Sequence, residues 1–165
     1  MYPPSSRTIV DRNTRTSVPS HTLTQSATDP PTSGRLVLRS DKLPWTIVVQ
    51  AGTAPTSQPR TGAKFYIAGS GTQGSQVSNL DVIHAIHNTL SVRVTKEEWN
   101  ALGTGSRAQR KVTKAYENRC RATGGGWDQG VKRIDWLGGK TRLVGVEVDK
   151  TASETGVAKL IFEKP

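Results

Sequence analysis

The chain has 165 residues, enough for one domain, but only 33% of them are hydrophobic, so part of the chain cannot be core. Lysine and arginine number 23 against 13 acidic residues, a net charge of +10, which makes any electrostatically chosen partner acidic. The longest apolar runs are short pentads such as Trp45-Thr46-Ile47-Val48-Val49, far below the roughly 18 residues of a membrane span, and the single cysteine, Cys120, excludes an internal disulfide framework and a Cys-built zinc site.

Residues 1–34 hold 13 Ser or Thr and 5 Pro, few large aliphatics and no hydrophobic period, a composition that predicts a disordered tail. Its opening, Met1-Tyr2-Pro3-Pro4, carries no apolar signal region, and the expectation is an intracellular protein, cytoplasmic or nuclear. Trp45 to Val49 reads as a strand. The Gly/Pro-rich stretches 52–62 and 69–75 read as loops around a short strand fragment at Phe65-Tyr66-Ile67.

Three helix starts follow. Ser78-Asn79-Leu80-Asp81 has the form of a capping box and opens a helix to about Leu90. Its apolar arc holds Leu80, Val82, Ile83, Ile86 and Leu90 with His87 at the edge, and Asp81, His84 and Asn88 lie opposite, which predicts an exposed His84. Thr95 and Glu98 form a second box, before a short helix with Trp99 and Leu102 on one face. Ser106 to Gln109 is a third, starting a helix that Gly124-Gly125-Gly126 stops. Beyond it, Val131 to Leu137 and Lys140 to Val148 flank Gly138-Gly139 as the arms of a hairpin, with Asp135 opposite Arg142, and Val157 to Phe162 reads as a further strand. The fold expected is a small single α+β domain over residues 35–165, with two to three helices packed on an antiparallel β meander.

The segments Leu43-Pro44-Trp45-Thr46-Ile47, Asp81-Val82-Ile83-His84-Ala85-Ile86, Val94-Thr95-Lys96-Glu97-Glu98-Trp99, Ala115-Tyr116-Glu117-Asn118-Arg119-Cys120 and Gly130 to Gly139, in this order, resemble a DUF6699-like family, a domain of unknown function of mushroom-forming fungi. The resemblance spans most of 35–165 and leaves out the tail. It implies one domain with these boundaries and nothing catalytic, because the family brings no established activity.

Few residues offer chemistry. Asp81, His84 and His87 form an Asp-x-x-His-x-x-His row, but Asp81 and His87 diverge around the helix and no second cluster completes a metal site, so neither metal nor cofactor is expected. Cys120, between Arg119 and Arg121, would act as a nucleophile only with a histidine in reach, and it reads as packing. The glycine runs lack the lysine and hydroxyl of a phosphate loop.

The third helix says more. Arg107, Arg110, Lys111, Lys114, Asn118 and Arg121 share one stripe, and residues 107–121 carry six basic side chains against one acid, Glu117. Such a face attracts phosphate or carboxylate polymers, with Lys132 and Arg133 as extensions and Trp127 available for stacking. Arg119 falls instead in the apolar arc of Ala108, Val112, Ala115 and Tyr116, where a guanidinium needs a carboxylate, and Asp135 or Glu98 is the expected partner. The function expected is a non-enzymatic binding or scaffold module that meets an acidic protein or nucleic acid. Its alternatives are a dedicated nucleic-acid binder using the basic helix face and, third, a Cys120-dependent enzyme.

Overall fold

The structure, a computed structural model, describes residues 9–11, 14–52, 76–148 and 157–165. The predicted strand fragment at Phe65-Tyr66-Ile67 and its two flanking loops lie outside the described residues, apart from Gly52.

Arg35–Ser40 (β1) and Leu43–Gln50 (β2) form an antiparallel hairpin across Asp41-Lys42. Alternation builds it: Leu36 opposes Val49 and Leu38 opposes Ile47 on the buried face, and Val37 opposes Val48 on the other. Pro44, which has no N–H to give a ladder, sits in β2 at the sheet's edge. Among the described residues two further strands, Arg142–Val148 (β3) and Val157–Glu163 (β4), make a sheet of four in the order β2-β1-β4-β3. The sheet is mixed and not the antiparallel meander expected, because β4 enters beside β1 running parallel to it, with Val37 level with Val157. Ala158, Leu160 and Phe162 of β4 join Leu36, Leu38, Ile47 and Val49 in one core.

The helices begin where the caps predict. Asn79–Ser91 (α2, the second of four α-helices among the described residues) starts on Ser78, whose hydroxyl accepts from the Asp81 N–H while Asp81 Oδ2 accepts from the Ser78 N–H. Val82, Ile86 and Leu90 then pack on the sheet. Lys96–Ala101 (α3) starts on Thr95 with the same reciprocal bonds to Glu98. Arg107–Thr123 (α4) starts on Ser106 and ends on Gly124, which takes the left-handed conformation at φ 65°.

Three further expectations fail. The segment Ser20–Thr24 (α1) is helical and buries Leu23 to 2% exposure, and Asn79 Nδ2 donates to the Thr22 carbonyl, so this part of residues 1–34 lies against α2. His84 is buried at 3% and not exposed, because α1, β2 and the turn before β3 pack around α2 and cover more of its circumference than a single stripe. The predicted hairpin about Gly138-Gly139 does not form. Arg133–Leu137 is a 3-10 helix in which Asp135 Oδ2 accepts from the Lys132 N–H, and Gly138, at φ 58° and ψ 40°, closes it. Arg142 consequently lies in β3 opposite Glu163, away from the partner the hairpin would have given it.

Candidate functional site

The basic stripe survives folding on α4. Arg107, Arg110, Lys111, Lys114, Asn118 and Arg121 are all exposed. Arg121 has an acidic neighbour, Glu117 one turn back at 3.6 Å, and Arg110 donates to the Gly105 carbonyl at 3.0 Å. Among the described residues Arg107, Lys111 and Lys114 make no ion pair.

Arg119 leaves the stripe and turns inward. Its Nε and Nη2 donate to the two carboxylate oxygens of Asp135 at 2.8 and 2.9 Å, and Nη2 also donates to the Gly130 carbonyl at 3.1 Å. These bonds push the guanidinium's pKa up against the opposing pull of desolvation. The guanidinium also lies over the Tyr116 ring, whose hydroxyl donates to the Trp127 carbonyl at 2.7 Å.

The proposed extensions of the stripe do not join it. Lys132 is 8% exposed and its ammonium donates to Gln129 Oε1. Arg133 donates to Glu98 Oε1 at 2.6 Å and lies over the Trp45 ring, 4.5 Å from its centre. Adjacency in sequence misled here, because the 3-10 helix sends both side chains into contacts with the body of the domain. Trp127 is 51% exposed, with Tyr116 set edge-on against its ring at 5.6 Å.

Sequence reasoning missed the cluster around Glu98. Trp45 Nε1 donates to Glu98 Oε1 at 2.6 Å, Arg133 binds the same oxygen, and the Thr95 N–H binds the other. Burial favours the protonated acid, but the Thr95 N–H, the Arg133 guanidinium and the Trp45 indole outweigh it and hold the carboxyl below its ordinary value. Trp45 in turn packs edge-on against Trp136. The cluster ties β2, α3 and the 3-10 helix together, and only the capping half of it is written in local spacing.

A groove of about 720 Å³ runs between α4 and the turn Ile134–Gly139, bounded by Lys111, Lys114 and Lys164. Among the described residues Asp81, His84 and His87 gather into no group of three or more His, Cys, Asp or Glu that could hold a metal ion. Cys120 is fully buried, so its thiol meets no substrate in this conformation. Among the described residues no helix is long and apolar enough to cross a membrane.

A small α+β domain that exposes one cationic helix face is the class of protein that fold and site define. The chain belongs to a family of unknown function, DUF6699, which it matches over residues 1–156. That match takes in the first 34 residues, which the motif resemblance leaves out, and stops at the threshold of β4. No curated protein and no solved structure shows significant similarity to the chain.

Proposed function

We propose that the domain is a non-enzymatic binding module that meets an acidic partner along the exposed face of α4. The observation that carries this reading is the charge balance of that face: five cationic side chains and Asn118 stand exposed, and Glu117 is the single acid between Arg107 and Arg121. With Arg119 neutralised by Asp135, the remaining cations keep their field directed at solvent. Replacing Arg110, Lys111 and Lys114 together by Gln tests it. Binding to polyglutamate, or to a nucleic acid, weakens in the triple variant and loses much of its salt dependence; unchanged affinity and slope would discard the reading.

A second reading takes nucleic acid as the partner, supported by the half-exposed Trp127 as a stacking surface. It predicts a log–log salt slope on duplex DNA that flattens by about 0.9 for each phosphate contact removed.

A further inference from the structure

We infer that the groove between α4 and the turn Ile134–Gly139 is a docking site for a short acidic peptide segment that carries an apolar side chain between its carboxylates. The inference rests on the proposed role of the α4 face and narrows it to one place and one partner chemistry.

Three observations carry it. The first is charge. Lys111, Lys114 and Lys164 border the groove and make no ion pair among the described residues. The one acidic side chain that lines it, Asp135, is 2% exposed and holds Arg119 with both oxygens, so no free carboxylate side chain of the lining offsets the three lysines. Carboxylates complement that rim.

The second is the floor. Ala115, Ala122, Ile134 and Pro165 line the same groove, and no aromatic side chain does. Apolar floor under a cationic rim suits an aliphatic side chain flanked by acids. A small anion would leave the floor wet, and a nucleic acid would find no ring to stack on.

The third is shape. The stem of Lys111 lies across Gly138, where a side chain would meet it, and Gly138 stands at φ 58°. The absent Cβ lets the lysine stem run along the turn, so that its methylenes form part of the groove's wall.

The test uses the full chain and a fluorescently labelled peptide, acetyl-Asp-Asp-Leu-Asp-Asp-amide, in low-salt buffer. Comparison ligands are the same peptide with Asn for Leu, polyglutamate, and a single-stranded oligonucleotide. The wild type binds the Leu peptide several-fold more tightly than the Asn peptide. Lys164→Gln and Lys114→Gln each weaken binding by about 2–5-fold, as expected for exposed charge pairs. Ala122→Trp, at an exposed helix position, abolishes it by filling the groove without moving the melting temperature. Arg107→Gln, on the stripe but outside the groove, changes it less than twofold.

Equal losses in Arg107→Gln and Lys114→Gln, with Ala122→Trp neutral, would overturn the groove and leave the α4 face as a diffuse binding surface. Tighter binding of the oligonucleotide, indifferent to Ala122→Trp, would overturn the peptide as occupant. Failure of the wild type to bind the Leu peptide overturns the inference. Failure with polyglutamate and the oligonucleotide as well brings down the reading of the α4 face with it.

Discussion

Arg119 of α4 and Asp135 of the 3-10 helix, 16 residues apart, face each other through two parallel hydrogen bonds, at 2.8 and 2.9 Å, from the guanidinium fork to the two carboxylate oxygens. The pair sits where the long helix meets the turn that leads into β3, and the Asp135 side chain is 2% exposed against 21% for Arg119. Removing the cation strands a buried carboxylate. Arg119→Met therefore destabilises the domain by about 3 kcal/mol, the lower end of the range for a broken buried pair because Arg119 keeps some contact with water. Arg110→Met, on the exposed stripe, costs less than about 0.5 kcal/mol. Urea denaturation with unchanged m-values measures both, and a double-mutant cycle with Asp135→Asn isolates the pair. Equal effects from the two arginine substitutions would falsify the assignment of Arg119 as structural.

Leu23 gives the second prediction. Composition assigns residues 1–34 to a disordered tail, yet Leu23 is one of the most buried side chains described, and α1 contacts α2. Leu23→Ala then costs about 2 kcal/mol or more, within the range for large-to-small changes in a core, and Thr24→Ala beside it costs almost nothing. A melting temperature unmoved by Leu23→Ala would mean that the segment leaves its seat in solution.

What could be read in advance was what local chemistry decides. The caps at Ser78, Thr95 and Ser106 each depend on a residue three positions on, and all three helices start there. The strands at Trp45 and Val157 follow from apolar alternation. Gly138-Gly139 was ambiguous for a physical reason: positive φ serves a hairpin turn and the close of a 3-10 helix equally well, and the contact that decides between them comes from Arg119 on another element. The strand Arg35–Ser40 was not among the expected elements, because its short apolar run Leu36-Val37-Leu38 stands directly against the tail composition. Lys132 and Arg133 could not be separated from the basic stripe without knowing which way the chain turns.

Glu98 sets a pH dependence. Its carboxyl is held below the ordinary value in the folded state, so the unfolded chain takes up its proton first as pH falls. The stability it contributes is therefore present above the unfolded carboxyl pKa of about 4.3 and is lost as pH falls below that through the folded value. Glu98→Gln is less stable than the wild type at pH 7, and the gap narrows on acidification. A gap that stays constant between pH 7 and pH 3 would show that the Trp45 and Arg133 contacts draw nothing from the charge.

Gly138 and Gly139 provide a control built into the chain. Both have positive φ, 58° and 85°, so an alanine at either pays for a left-handed backbone, about 1 kcal/mol at an exposed turn. Only at Gly138 would the added methyl also collide, with the Lys111 stem; around Gly139 there is open space. Gly138→Ala is expected to cost less than about 0.5 kcal/mol beyond Gly139→Ala in urea denaturation, because the atom it meets is the far end of an exposed lysine that can swing aside. Lys111→Ala removes the obstacle, so Gly138→Ala in that background falls to the cost of Gly139→Ala. A Gly138→Ala penalty that persists undiminished beside Lys111→Ala would assign the whole cost to backbone strain, and Lys111 would then be free of the turn.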